Sequence, residues 1–162
     1  MTTQPGKNRK GGRFDSLEQE VFLNLWRTYD RLRRLEDDLF GPHDLTAQQY
    51  NALRLLRGVY PDRVRTLDLA ARLVSRAPDI TRLLDKLEQR GLIVRTRPPE
   101  NRREVWVGIT AAGLALLREL AAPVRACHAR QLGHLSGAQL AALVELLRCA
   151  RAPHEDRPGG WG

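Results

Sequence analysis

Residues 67–110 read LDLAARLVSRAPDITRLLDKLEQRGLIVRTRPPENRREVWVGIT, and this stretch decides the fold. Its opening is a short helix bearing Leu67, Leu69, Ala70 and Leu73, with Thr66 placed to cap it. Pro78 fits only the first turn of a helix, where its missing N–H costs nothing, so a second helix is expected from about Ala77. Ile80, Leu83, Leu84 and Leu87 fall on one face of that helix; Pro78, Arg82, Asp85 and Gln89 lie opposite, flanked by Asp79, Thr81 and Lys86. Gly91 stops it. Residues 92–97 and 104–109 then form two short strands joined by Pro98-Pro99-Glu100-Asn101-Arg102-Arg103. Val105, Val107 and Ile109 alternate inward, so Glu104, Trp106 and Gly108 face out, with Trp106 expected to lie against its own hairpin.

Two helices followed by an Arg-tipped hairpin make a winged helix-turn-helix. Working outward, Ser16 to Phe40 is a long helix with Val21, Leu25, Thr28, Leu32, Leu35 and Leu39 as a seam and Phe22, Trp26 and Tyr29 as a second apolar strip. A surface that wide needs more neighbours than a small chain offers, and a partner subunit is expected to supply them. Thr46-Ala47-Gln48-Gln49 is a capping box opening a helix with Ala52, Leu53 and Leu56 on its buried side. Thr110 caps another long helix, to about Leu132, with Pro123 inside it; Ser136-Gly137-Ala138-Gln139 is a second capping box, before an amphipathic helix bearing Leu140, Leu143, Val144 and Leu147.

The expected fold is therefore mainly α: a winged helix-turn-helix with a two-stranded β wing, flanked by long terminal helices that meet a partner subunit. Residues 1–15 are expected to be a disordered basic tail, 16–45 a dimerisation helix, 46–110 the DNA-binding lobe, 111–150 dimerisation helices and 151–162 a second disordered tail.

Composition agrees with a polyanionic partner. The 162 residues carry 27 Lys and Arg against 19 Asp and Glu, a formal charge of +8. Between Arg63 and Arg103 eleven basic residues face five acidic ones, so this stretch holds most of the excess. Two cysteines, Cys127 and Cys149, are too few for a disulfide framework and fit a reducing cytoplasm. They read as helix-packing residues; Arg130 near Cys127 is a weak hint of a reactive thiol. His128 and His134 are six apart and do not share a helical face, so no metal site is expected. The N-terminus lacks the apolar core of a secretory signal, and no apolar run approaches membrane-spanning length. The motifs of nucleophilic, phosphate-binding and metal-dependent catalysis are missing, so neither a catalytic site nor a cofactor is expected.

From Leu45-Thr46 to Thr110 the chain resembles the MarR family of bacterial transcriptional regulators. The residues that carry the likeness are Leu67-Asp68-Leu69-Ala70-Ala71-Arg72-Leu73, then Thr81 to Ile93, then Asn101-Arg102-Arg103 followed by Ile109-Thr110. The resemblance implies that the long terminal helices form an intertwined dimer, a homodimer presenting two winged modules to a pseudo-palindromic operator, usually as a repressor released by a small, often phenolic, ligand bound between the dimer helices and the DNA-binding lobe. The family's wing usually carries an acidic residue where Asn101 stands, so a brace to a neighbouring Arg would here be a neutral hydrogen bond.

The residues expected to meet DNA form three groups. Ser75, Arg76, Asp79 and Thr81 stand at the entrance of the recognition helix, with Asp79 either complementing the helix dipole or accepting from a cytosine amino group. Arg82 and Lys86 are on its groove side, where an Arg fork grips guanine O6 and N7. Arg97, Asn101, Arg102 and Arg103 are on the wing, suited to phosphates or a narrow minor groove. An effector pocket is sketched by Trp26, Tyr29, Arg33, His43 and Tyr50, aromatic walls with one cation that suit a phenolate or carboxylate. Two other readings use the same basic face: a sequence-neutral architectural DNA coat, and a winged-helix module for an acidic protein.

Overall fold

The computed structural model of the chain describes residues 14–74 and 79–155. Helix α1 (Leu17–Phe40) leads through a 3-10 turn (Gly41–His43) into α2 (Ala47–Val59), and a two-residue strand β1 (Val64–Arg65) enters α3 (Thr66–Arg72) directly. Helix α4 (Ile80–Gln89) precedes β2 (Ile93–Thr96) and β3 (Trp106–Ile109); α5 (Ala111–Leu132), α6 (Gly137–Arg151) and a 3-10 turn (Ala152–His154) follow.

Most helix starts follow local chemistry. Ser16, Thr46, Thr110 and Ser136 each accept a hydrogen bond from the backbone N–H three residues on, and Thr46/Gln49 and Ser136/Gln139 are complete reciprocal capping boxes. Thr66 behaves differently from its expected role. It is the first residue of α3, and its hydroxyl donates to the Val105 carbonyl at 3.1 Å, tying the helix to the wing. The end of α4 is a Schellman motif: Gly91 takes φ +67°, its N–H donates to Glu88 O and the Leu92 N–H donates to Leu87 O.

The sheet has three antiparallel strands in the order β1-β3-β2, one more than the two expected. A two-residue strand carries no periodicity, and its existence depends on pairing Val64 with Val107 and Arg65 with Trp106. The structure differs at the ends as well. Phe14 and Asp15 are ordered against α1, with Asp15 and Gln19 exchanging two hydrogen bonds, and α6 runs through Arg151 rather than stopping before it. The expected helix start at Ala77, like Pro78, lies outside the described residues.

One core joins α2 to the winged lobe and to α5. Leu53, Leu56, Leu69, Leu84, Leu87, Val107, Leu117 and Leu120 are its fully buried side chains, so Leu supplies the volume that aromatic residues would in a richer sequence. Leu67, counted among the apolar face of α3, is instead 81% exposed. Buried Gln131 of α5 donates to the Leu32 carbonyl at 3.0 Å and pins the middle of α1. Beyond that pin the apolar side chains of α1 are largely uncovered among the described residues: Leu17, Val21, Phe22, Trp26 and Tyr29 are each at least half exposed. No residue of α6 is buried either. No helix among the described residues is long and apolar enough to cross a membrane.

Packing predicts a sharp contrast between two leucines of the same lobe. Leu84→Ala is expected to cost about 2–5 kcal/mol, since it deletes atoms from a fully buried site, and Leu67→Ala less than about 0.5 kcal/mol. Urea unfolding followed by circular dichroism checks both; equal midpoints for the two variants would contradict the core described.

Candidate nucleic-acid interface

The angle between the recognition helix and the hairpin is set by one arginine of β2. Arg95 Nη2 lies 2.6 Å from Asp85 Oδ1 and 2.5 Å from Glu88 Oε2, its Nε donates to Glu88 Oε2 at 2.9 Å, and its backbone N–H donates to Glu88 Oε1 at 3.2 Å. This geometry corrects the helical wheel. Asp85 was expected on the groove side of α4, but its carboxylate, half-buried, is turned onto Arg95. The hydrogen bonds from Arg95 hold the Glu88 carboxyl below its ordinary pKa against an opposing desolvation, and those same bonds raise the Arg95 guanidinium.

Several other cations of the basic stretch are committed too. Arg65 pairs with Asp68 at 2.9 Å and reaches Glu104 at 3.7 Å, Arg90 donates to the Asp44 carbonyl at 2.7 Å, and Arg63 donates to Thr96 Oγ1 at 2.8 Å. What remains on the surface is a smaller set. Arg82 and Lys86 on α4, and Arg102 and Arg103 on the wing, are exposed and have no side-chain partner among the described residues. Thr81 is exposed beside them.

At the start of α4 Asp79 is the N-cap, its Oδ1 accepting from the Arg82 N–H at 2.9 Å. That is the dipole role among the two expected for it, and it commits one carboxylate oxygen. Ser75 and Arg76, also expected at this entrance, lie outside the described residues.

The wing tip is two successive turns, in which the Asn101 N–H donates to Pro98 O and the Glu104 N–H to Asn101 O, each at 3.1 Å. Asn101 Oδ1 accepts from the backbone N–H of Arg103 at 3.2 Å, so the expected brace runs to main chain and not to a guanidinium. Arg97 Nη1 donates to the Arg102 carbonyl at 3.1 Å and closes the base of the loop. Trp106 is half-buried, not exposed, and its Nε1–H donates to Glu104 Oε2 at 3.2 Å. Between the start of α3, α4 and the wing runs a groove of about 800 Å³, lined among others by Leu67, Thr81, Arg97 and Arg103.

The five residues sketched as an effector pocket are dispersed within one protomer. Trp26 and Tyr29 stand on the unpartnered half of α1, Arg33 pairs with Asp37 at 3.4 Å, His43 Nδ1 is 3.8 Å from Glu119 Oε1, and the Tyr50 ring packs on Phe40 with centroids 4.8 Å apart. The cavity that Trp26 lines, of about 570 Å³, is completed by Phe14, Leu23, Asn24, Arg27 and Asp30. Cys149 is exposed and Cys127 buried. Burial, with Glu36 nearby, pushes the Cys127 thiol up despite Arg130, so the hint of a reactive thiolate there is not supported.

The Arg95 pairing has a pH signature. A carboxyl held below its ordinary range contributes stability that is fully present above about pH 5 and is lost as pH falls through its lowered value. Wild type is therefore expected to lose more stability than Glu88→Gln between about pH 5 and pH 2, the variant being less stable at neutrality. Urea midpoints across that range measure it, and parallel curves would refute the assignment.

Comparison with known proteins agrees with this architecture. The MarR family model matches residues 45–105. A MarR transcription factor from Planctomyces limnophilus, solved by crystallography, is 56% identical and covers 85% of this chain and 99% of its own, with a TM-score of 0.68. Bordetella bronchiseptica BpsR, solved in work on regulation of its DNA binding by 6-hydroxynicotinic acid, is 25% identical over 86% of this chain and 97% of its own, with a TM-score of 0.75. The homoprotocatechuate degradative operon repressor of Escherichia coli is 29% identical over 128 residues, 72% of this chain and 80% of that protein. With a winged lobe of matching order and a relative identical at more than half of the aligned positions, the chain belongs to the MarR family of transcriptional regulators.

Proposed function

We propose that the protein is a DNA-binding transcriptional repressor that acts as a homodimer on a pseudo-palindromic operator in the cytoplasm, and that an aromatic acid releases it. The observation that carries this reading is the sorting of charge on one face. Nearby acids are engaged locally, Asp85 and Glu88 with Arg95, Asp68 and Glu104 with Arg65, with Asp79 bound into a cap. The unpaired cations Arg82, Lys86, Arg102 and Arg103 sit on the two elements a winged helix sends into the grooves. Only Glu100 at the wing tip interrupts that set.

Two copies are needed to cover the apolar surface of α1 and α6. Leu17, Phe22, Trp26 and Tyr29 are 62–71% exposed, and Leu146 of α6 is 68% exposed. Large hydrophobic residues clustered on the arm of a small chain mark an interface. A second arm laid along the first brings two recognition helices into one assembly, which is what an inverted repeat reads.

In this reading Arg82, with Lys86 and Thr81, discriminates bases, while Arg97, Arg102 and Arg103 grip phosphate. Asn101 at the wing tip is assigned to the same role, and so, on the sequence alone, are Ser75 and Arg76, which lie outside the described residues. Selection from a random duplex pool should recover an inverted repeat. Against that duplex, Arg82→Ala is expected to lower discrimination over random DNA, Arg102→Ala to weaken both alike, and six to ten phosphate contacts per dimer to cost roughly 10³ to 10⁵-fold in affinity between 50 and 200 mM salt. Fluorescence anisotropy reads all three; a specificity ratio near one would point to an architectural coat, and no shift of any duplex at low salt to a protein-binding module.

The effector class follows from the residues and from the relatives. Trp26, Tyr29, Arg33, His43 and Tyr50 offer aromatic faces and one cation, and BpsR, whose DNA binding is regulated by 6-hydroxynicotinic acid, shares the fold at 25% identity. Dispersed in one protomer, these residues need the partner subunit to close a pocket around them. Aromatic carboxylates are expected to raise the Tm of wild type, to release the operator duplex, and to lose both effects in Arg33→Ala; a thermal-shift screen in which none does so would remove the effector from the account.

A further inference from the structure

Gly108 stands on the outward face of β3 and is nevertheless buried. What covers it is Arg63. A Cβ at position 108 would lie 2.9 Å from Arg63 Cγ and 3.5 Å from its Cδ, so the aliphatic stem occupies the space a side chain would need. Past that notch the guanidinium Nη1 donates to Thr96 Oγ1 at 2.8 Å. Arg63 immediately precedes β1, Gly108 is in β3 and Thr96 ends β2, so with a strand order of β1-β3-β2 the side chain crosses the whole sheet.

Its end point matters because β2 is an edge strand, paired on one side alone, with β3. Side chains of successive strand residues emerge on opposite faces. Arg95 therefore ties the inner face of β2 to α4, and its neighbour Thr96 ties the outer face to Arg63. The next residue, Arg97, begins the wing loop and donates to the Arg102 carbonyl.

We propose that Arg63, lying in the notch left by Gly108 and bonded to Thr96, is a positioning residue for DNA binding that fixes the outer face of β2 and thereby the aim of Arg97, Arg102 and Arg103. This rests on the DNA-binding reading above. The glycine is part of the device, because any side chain there meets Arg63 at Cγ, near its backbone, and displaces the whole strap.

Amide hydrogen exchange of the free protein and anisotropy on the selected inverted-repeat duplex test it together. Arg63→Ala, Thr96→Val and Gly108→Val are each expected to speed exchange in residues 93–97 and 106–109 by roughly three- to tenfold and leave α5 unchanged. Each should weaken the duplex by a similar factor with the wild-type salt slope, and Arg63→Ala/Thr96→Val should be no worse than either single variant. A salt slope lower by about one in Arg63→Ala, with Thr96→Val binding normally, would make Arg63 a phosphate contact and overturn the proposal. So would unchanged exchange in all three, or faster exchange with undiminished affinity. If wild type itself binds no duplex, it is the DNA-binding reading that fails, and the exchange data still report whether the strap holds the strand.

Discussion

Everything the winged lobe can do depends on the ion pairs between β2 and α4. A hairpin attached to a helix by one short turn would swing about Gly91, and the hydrophobic contacts of Ile93, Val107 and Ile109 constrain its base more than its aim. Arg95 removes that freedom by engaging two carboxylates one helical turn apart, Asp85 and Glu88, with a planar fork that cannot satisfy both unless strand and helix keep one relative orientation. The cost of gathering the charges is moderate because the site is half-buried, where water still reaches the carboxylates. Orientation is bought at little expense in stability.

The second constraint is at the other end of the molecule. A helix of 24 residues is about 36 Å long, and only its C-terminal half lies on α5, where Gln131 holds the Leu32 carbonyl and Phe40 enters the core. The free half is apolar around more than one strip, which a solitary chain would expose at a cost of roughly 25 cal/mol for each Å². Arm and lobe thus differ: the lobe buries its apolar side chains within the chain, while the arm leaves Leu17, Phe22, Trp26 and Tyr29 exposed.

How much of this was legible in the sequence follows the range of the interactions. Helix caps at Thr46, Thr110 and Ser136 could be read because donor and acceptor are three residues apart, and the apolar faces of α2 and α4 because burial imposes a period. Strand β1 could not, since two residues have no period and only Val107 and Trp106, some forty residues later, make them a strand. Asp85 was assigned to the groove because a helical wheel sees angle and not neighbours; β2 lies alongside and captures it. The basic count of residues 63–103 overstated the number of unengaged side chains for the same reason, since Arg63, Arg65, Arg90 and Arg95 all find partners distant in sequence or across a turn. One signal was available: glycine in the middle of a strand, as at position 108, marks a close approach by something else.

The pairing also shapes how the interface would select its sequence. Arg95 carries one positive charge against the two negative charges of Asp85 and Glu88, so the cluster retains a net negative charge beside Arg82 and Lys86. On the DNA-binding reading that residue of charge is opposed to the phosphates of any duplex, and binding without sequence recognition is almost wholly electrostatic. Contacts to base edges, by contrast, are hydrogen bonds of fixed geometry, which a nearby carboxylate penalises less than it penalises the general attraction. On that reading, a lobe that keeps Asp85 and Glu88 on α4 would give up affinity for every duplex alike. Since a regulator competes against a great excess of nonspecific sites, the ratio is what decides occupancy, and that ratio would then rest on the base contacts of Arg82 and Lys86. The same two carboxylates that aim the wing would therefore limit the general attraction to DNA and leave discrimination to the side chains beside them.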